Sequence, residues 1–326
     1  MKEKILTALR ESDGYVSGQE LCQKLGVSRT AVWKAINSLK EAGYEIEAVT
    51  NRGYRICSAP DVLSREELIS IQKTKWIGQE LYYYSSLDST NNKAKELGDN
   101  GSISGTVVVA DQQTAGRGRR GRSWETPLGD AIAVTIMLKP EMNPGNASML
   151  TLVAALAVSK AIEEVTGEIA GIKWPNDLIM DSRKVCGILT EMSAQFDYIN
   201  HIVIGIGINV HTKEFPEELK EIATSIYKAT GQTVRRADLI EKILEWFENY
   251  YEIFMKTEDL SQLVREYNSL LVNKGRTVRV LDPKEPFEGK AMGITERGEL
   301  IVDTWESRRL VSSGEVSVRG LHGYTE

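Results

Sequence analysis

Asp111-Gln112-Gln113-Thr114-Ala115-Gly116-Arg117-Gly118-Arg119-Arg120-Gly121-Arg122-Ser123-Trp124 places three glycines and four arginines in the seven positions 116–122. Glycine lets backbone N–H groups approach a ligand unobstructed, and a guanidinium fork pairs with two phosphate or carboxylate oxygens at once. Two phosphate-binding fingerprints overlap here: Gly116-x-Gly118-x-x-Gly121, and Gly116-x-x-x-x-Gly121-Arg122-Ser123 with arginine in the lysine position. Each requires a helix immediately after the glycines, so that its N-terminus meets the phosphates. The continuation Trp124-Glu125-Thr126-Pro127-Leu128-Gly129-Asp130 has no apolar 3.6-residue period and is broken by Pro127 and Gly129. Both fingerprints are therefore rejected. Apolar strands expected over 105–110 and 131–138 flank the stretch, so it reads as an anion-binding lid held in a fold rather than as a solvated basic linker.

A chain of 326 residues is long enough for two or three domains with a sizeable core. Its net charge of -6 argues against bulk nucleic-acid binding by the whole molecule, so any DNA contact must be local. Cys22, Cys57 and Cys186 are far apart and form no Cys-x-x-Cys pair, and His201, His211 and His322 lack ligand spacing. No disulfide framework or protein-held metal is expected, and the expected compartment is the cytoplasm. No apolar run is expected to approach the roughly 20 residues of a membrane span.

Outward from the central loop, residues 1–60 read as three helices and a hairpin. Ser17-Gly18-Gln19-Glu20 is a capping box, Gly26 makes a turn, and Ser28 caps a third helix with Val32, Ile36 and Leu39 inward. Arg29, Thr30, Lys34 and Asn37 are left to other faces. The strands 45–49 and 54–57 join through Thr50-Asn51-Arg52-Gly53, which puts Arg52 at a wing tip with Arg55 beside it. Helix, short turn, helix and wing is a DNA-reading arrangement; the other reading is a packing or dimerisation module. Nine basic against seven acidic residues make this the basic part of an acidic chain, which favours DNA. The DNA-contacting candidates are Ser28, Arg29, Thr30, Lys34, Asn37, Arg52 and Arg55.

A hinge is expected at 58–61, then a short helix within 63–75 and a middle domain, 61–272 in all, that alternates strands and helices. Residues 273–326 should form a small β-barrel from short alternating strands. Four further groups in the middle domain place polar residues or glycines where a plain core would be apolar. Asp88-Ser89-Thr90-Asn91-Asn92 lies at a strand-to-helix junction, where an ordinary helix cap is the alternative. Lys173-Trp174-Pro175-Asn176-Asp177 brings Lys173 and Asp177 together in a turn whose proline keeps Trp174 extended. Lys184-Val185-Cys186-Gly187-Ile188-Leu189 puts a lysine at the opening of a buried strand. In Gly205-Ile206-Gly207-Ile208-Asn209 the isoleucines face the core, and the bare opposite face invites a ligand or backbone.

These five motifs, in this order, resemble the biotin-protein ligases, and the winged helix in front makes the chain similar to the bifunctional bacterial form that is both ligase and operon repressor. The resemblance implies an α/β (α+β) multidomain chain: a winged helix-turn-helix, a central mixed α/β ligase domain like that of class II synthetases, and an SH3-like terminal barrel. It implies formation of biotinyl-5'-AMP from biotin and ATP with Mg2+. Biotin then passes to one lysine of a biotin carboxyl carrier domain, in acetyl-CoA carboxylase and pyruvate carboxylase, and the adenylate-bound form represses biotin synthesis genes as a homodimer on operator DNA. By the motif match, Ser89, Thr90, Asn91 and Gln113 bind biotin, with Arg117, Gly118, Arg119 and Lys184 beside its carboxylate. Arg119, Arg120, Arg122, Trp124, Lys173, Asn176 and Asn209 face the nucleotide, with Arg319 reaching it from Glu315-Val-Ser-Val-Arg319. Lys184, Arg117, Arg119 and Asp177 are the catalytic candidates, Asp177 acting either on the acceptor amine or on magnesium. A biotin sensor without chemistry and a lipoate ligase are the competing readings.

Overall fold

The computed structural model describes residues 1–195, 198–282, 285–314, 317–320 and 324. The chain divides into two compact units, 1–73 with 235–241, and 74–234 with 242–326.

In the first unit, α1 (Lys2–Arg10), α2 (Gly18–Leu25) and α3 (Arg29–Glu41) precede the hairpin β1 (Glu45–Val49) and β2 (Gly53–Ser58). The sequence signals act as expected. Ser17 Oγ accepts the Glu20 N–H, Gly26 closes α2 at φ 65°, and Ser28 Oγ accepts the Ala31 N–H. Ile5, Leu6, Leu9, Leu21, Val32, Ile36 and Leu39 form the core. Gly53 has φ 114°, and a Cβ there would stand 2.1 Å from the Val16 carbonyl oxygen, so the strand crossing requires glycine. α4 (Arg65–Ile71) packs on α1, so this unit runs past the expected hinge to Lys73. The reason is Glu67, wholly buried on α4: Arg10 and Arg235 both meet its Oε1, and the Tyr44 hydroxyl donates to its Oε2 at 2.7 Å.

The second unit is built on β3 (Leu81–Tyr84), α5 (Thr90–Asp99), β4 (Thr106–Ala110), β5 (Ala131–Leu138), α6 (Leu150–Thr166), β6 (Gly171–Lys173), β7 (Asp177–Met180), β8 (Arg183–Ala194) and β9 (Ile199–Asn209). Its seven strands run in the order β3-β4-β5-β9-β8-β7-β6, antiparallel throughout except for β3 on β4. Register decides what each face carries. Thr135, Gly205 and Leu189 are successive partners across the sheet, as are Ala133, Gly207, Gly187 and Asp177. The alternate residues Ile132, Val134, Ile136, Ile204, Ile206 and Ile208 are buried on the other face. The segment Pro144–Thr166, which contains α6, is long and apolar enough to cross a membrane, contrary to expectation, but 78% of its most apolar window is buried. Its small alanines allow close packing against the sheet.

α7 (Ile226–Thr230), α8 (Arg236–Phe254) and α9 (Val264–Leu270) follow. The terminal strands β10 (Thr277–Leu281), β11 (Phe287–Ile294), β12 (Leu300–Asp303), β13 (Arg308–Val311) and β14 (Ser317–Gly320) form an antiparallel sheet in the order β13-β12-β11-β10-β14. α7 and β14 were not anticipated, being too short to show a period.

Removing the Glu67 carboxylate leaves two guanidiniums and a phenol without their shared acceptor. Glu67→Ala should cost about 3 kcal/mol, read as faster amide exchange across α1 and α4 in the full chain. Unchanged protection there would remove Glu67 from this role.

Candidate functional site

The arginine-rich stretch is a folded hairpin, not an open lid. Arg117 pairs with Ser123 and Gln113 with Thr126 across it. The Gly118 N–H donates to the Arg122 carbonyl at 2.7 Å, and the Trp124 N–H to the Gly116 carbonyl at 2.9 Å. A tight turn at Arg119–Gly121 reverses it, with Arg120 at φ 59° and Gly121 at φ 73°. A Cβ on Gly116 would lie 2.3 Å from the Trp124 carbonyl oxygen, so this glycine closes the hairpin rather than baring a ligand-facing amide.

The hairpin lays Trp124 flat on the stripped sheet face. A Cβ on Gly207 would stand 2.4 Å from the indole nitrogen, and one on its partner Gly187 3.1 Å from the ring. A Cβ on Gly205 would stand 2.1 Å from the Asn91 amide oxygen. The bare strand expected from the glycines is therefore real, and side chains of α5 and the hairpin lie on it. Among the described residues the buried Trp124 Nε1–H has no hydrogen-bond partner.

One polar chain ties the first group of predicted residues together. Gln113 Oε1 accepts both the Thr90 N–H at 2.8 Å and the Thr90 hydroxyl at 3.0 Å. Thr135 Oγ1 lies 2.8 Å from Thr90 Oγ1 and from Asn91 Oδ1. Asn91 Nδ2 donates to the Leu189 carbonyl and to Glu191. Ser89 is buried but makes no side-chain cap, so the ordinary-cap alternative fails; Gln113 takes the cap position. Arg117 reaches Asn92 and Glu191, the latter at 3.4 Å, and Lys95 pairs with Glu191 at 2.6 Å. Burial opposes the Glu191 charge, but the Lys95 and Asn91 hydrogen bonds outweigh it and hold its carboxyl below the usual range.

A second cluster surrounds Asp177. Lys184 Nζ stands 2.6 Å from its Oδ1, and the Tyr324 hydroxyl donates to its Oδ2. Lys173, its partner across the β6–β7 hairpin, holds Nζ 3.4 Å from the Tyr324 ring centroid. The Trp174–Pro175 peptide between them is cis. Burial raises the Asp177 carboxyl, yet the surrounding ammonium groups pull it below its ordinary value. Burial drags Lys173 down to about 8 against the pull of Asp177, with Lys184, Arg319 and Arg122 adding repulsion. Arg119 donates to Asn176 Oδ1 at 3.0 Å and to the carbonyls of Ser313 and Gly314, anchoring the hairpin on both strands and terminal sheet.

Three adjoining cavities of about 50, 100 and 620 Å³ share Lys184 and Trp124 in their walls. The first is lined by Ser89, Thr90, Asn91, Gln113, Arg117, Gly118 and Arg119. It has room for on the order of one or two waters, so side chains there must shift to admit a larger ligand. Arg120, Arg122, Lys173, Asn176, Asp177 and Arg319 line the second, and Asn209 the third. Asn209 Nδ2 donates to the Thr224 carbonyl at 3.1 Å, so part of its amide is committed to the fold. Glu315 and Val316 of the expected terminal contact lie outside the described residues, whereas Arg319 lies on β14. Sequence reasoning missed Thr135, Glu191, Lys95 and Tyr324. Only Thr135 leaves a trace, as the polar residue in the otherwise apolar run 131–138.

In the first unit, Arg29, Thr30 and Lys34 are exposed and Asn37 half-buried, on the side of α3 away from the core. The Arg52 and Arg55 guanidiniums lie 4.5 and 5.0 Å from the Tyr15 ring centroid, and Arg55 also pairs with Glu47 at 2.8 Å. The wing arginines are thus held beside the helices by stacking.

Lys173 offers a pH test. Its folded value of about 8 lies below the ordinary 10.5, so above pH 8 the unfolded chain binds the extra proton and stability rises with pH. Between pH 7 and 9 the wild-type chain should gain about 1 kcal/mol relative to Lys173→Met, measured by denaturant unfolding. A constant difference would place the ammonium at its ordinary value.

Residues 2–55 match an HTH domain, 83–209 the Biotin/lipoate A/B protein ligase family, and 275–319 the Biotin protein ligase C terminal domain. Over 306 residues the chain is 41% identical to the bifunctional ligase/repressor BirA of Bacillus subtilis (strain 168), covering 93% of this chain and 94% of that one. It is 27% identical over 318 residues to the bifunctional ligase/repressor BirA of Escherichia coli (strain K12), covering 96% of each. Biotin protein ligase from Aquifex aeolicus, solved in complex with biotin and ATP, superposes with a TM-score of 0.66 at 32% identity, covering 74% of this chain and 99% of that chain. The five motifs that meet on one sheet face, and the winged helix ahead of them, thus have relatives along the whole length: the chain belongs to the family of bifunctional biotin ligases and repressors.

Proposed function

We propose that this chain joins biotin to ATP as biotinyl-5'-AMP, transfers the biotinyl group to a lysine of a biotin carboxyl carrier domain, and represses transcription from operator DNA when the adenylate is bound. One observation carries the reading: Lys184 and Trp124 stand where three cavities meet, between a hydrogen-bonding pocket and a cationic one. Adenylation needs that junction. The biotin carboxylate attacks the α-phosphorus, a P–O bond forms, and pyrophosphate leaves with the electrons of the bond that breaks. Two anions must be brought together, so fixed cations lower the barrier most.

In this reading Ser89, Thr90, Asn91 and Gln113 hold biotin, with Arg117, Gly118 and Arg119 near its carboxylate. Lys184 contacts both carboxylate and α-phosphate, and Trp124 covers the adenine. Arg120, Arg122, Lys173, Asn176, Asn209 and Arg319 face the phosphates and nucleoside, and Mg2+ arrives with ATP. In the second step the acceptor amine attacks the acyl carbon and AMP leaves. Asp177, a buried carboxylate among cations, is suited to accept a hydrogen bond from that amine. The hairpin shields the mixed anhydride from water.

Residues within 1–60 bind operator DNA, residues of the second unit from Thr74 onward carry the chemistry, and within that unit 273–326 complete the nucleotide site. Acetyl-CoA carboxylase and pyruvate carboxylase supply the acceptor domains, and the protein works in the cytoplasm. An adenylate-linked homodimer presents two winged helices to a palindromic site. A sensor without chemistry would not need Lys184, Asp177 and four arginines together.

The test is to incubate the chain with biotin and MgATP, desalt it, and identify what stays bound by mass spectrometry. Near-stoichiometric biotinyl-AMP is expected for the wild type. Lys184→Ala should retain biotin while forming adenylate at least a hundredfold more slowly, about 3 kcal/mol of barrier. The loaded wild type, and not the ligand-free chain, should dimerise and shift operator DNA. Biotin alone on the wild type would reduce the protein to a sensor, and equal DNA affinity with and without ligand would sever repression from the adenylate.

A further inference from the structure

The outward face of α3 carries a residue that the polar DNA-contact candidates do not explain. Burial of Val32, Ala35, Ile36 and Leu39 sets the inner face of the helix. At about 100° per residue, Thr30, Trp33, Lys34 and Asn37 then share an outward arc of about 100°. Trp33 is 56% exposed there. Every other aromatic of this unit, Tyr15, Tyr44 and Tyr54, is at least partly buried. An indole left in water adds nothing to the stability of the unit, and its large apolar surface becomes useful only when something covers it.

The surroundings say what that partner is. Arg29 and Lys34 flank the indole on the helix, and the stacked Arg52 and Arg55 stand on the wing of the same unit. A polyanion complements this charge. In the major groove of duplex DNA, the one apolar group a base edge offers is the C5-methyl of thymine.

The geometry points to Trp33 as a sequence-reading residue that packs on a thymine methyl group, beside the polar readers at 30, 34 and 37. This rests on the repressor reading, and adds to it one determinant of which operator is chosen.

The test uses the full chain with biotin and MgATP to enrich duplexes from a randomised pool, then replaces each enriched thymine in turn by deoxyuridine, which lacks only the methyl. At one thymine the wild type should lose about fourfold in affinity. Trp33→Ala should bind the thymine duplex correspondingly more weakly and become indifferent to the methyl. Arg52→Ala should weaken both duplexes equally, as a phosphate contact does. Because the uridine series uses the unaltered protein, a poorly folded variant cannot decide the outcome. Tolerance of uridine at every position, or a full uridine penalty retained by Trp33→Ala, overturns the inference while leaving the repressor reading intact. Failure to enrich any duplex overturns both.

Discussion

A patch of sheet face bared by three glycines is the constraint on which the site depends. Gly187 and Gly207 are partners on adjacent strands, and Gly205 lies two residues before Gly207 on the same face. Any Cβ at these positions meets the Trp124 indole, the Lys184 chain end or the Asn91 amide at 3.1 Å or less. Glycine weakens a strand, so three of them in the middle of a sheet must be offset by the strand pairing on both sides of β9 and by the isoleucines buried beneath. The result is a floor low enough for an aromatic ring and an amide to lie on the backbone.

The charges depend on the same floor. Asp177 continues the row of Ala133, Gly207 and Gly187, so its carboxylate emerges at the edge of the bare surface, where Lys173 and Lys184 converge on it. A buried carboxylate flanked by ammonium groups keeps its charge, and the lysines remain close to one another because it is there. Arg119 binds the hairpin to Asn176 and to the carbonyls of residues 313 and 314. The arginine-rich hairpin, the strand hairpin and the terminal sheet are thereby held to one another through polar contacts.

Much of the DNA-binding unit was legible because its signals are local. A serine cap, a glycine in the left-handed region and a 3.6-residue apolar period each act over a few residues, and α1, α2 and α3 appear where those signals place them. The hinge was harder to read. Glu67 looks like an ordinary first-turn acid in α4, and its burial among Arg10, Tyr44 and Arg235 depends on residues more than 160 positions apart in one case. Trp33 follows Val32 and so falls off the face set by Val32, Ile36 and Leu39, and its 56% exposure puts it on the outward side of α3.

Sequence alone set out five motifs of glycines, arginines and amides, in order along the chain, that mark the candidate site. It also determined that the arginine stretch cannot open a phosphate-binding helix, because Pro127 and Gly129 break the segment after it. Only the tertiary structure decided that this stretch is a closed hairpin, that Gln113 rather than Ser89 caps α5, and that Thr135, Glu191 and Tyr324 join the site. The physical reason is range. Capping, turns and periodicity act between neighbours in the chain, whereas strand register and burial bring together residues such as Thr90 and Gln113, 23 positions apart, or Asp177 and Tyr324, 147 apart, and no local pattern encodes those pairings.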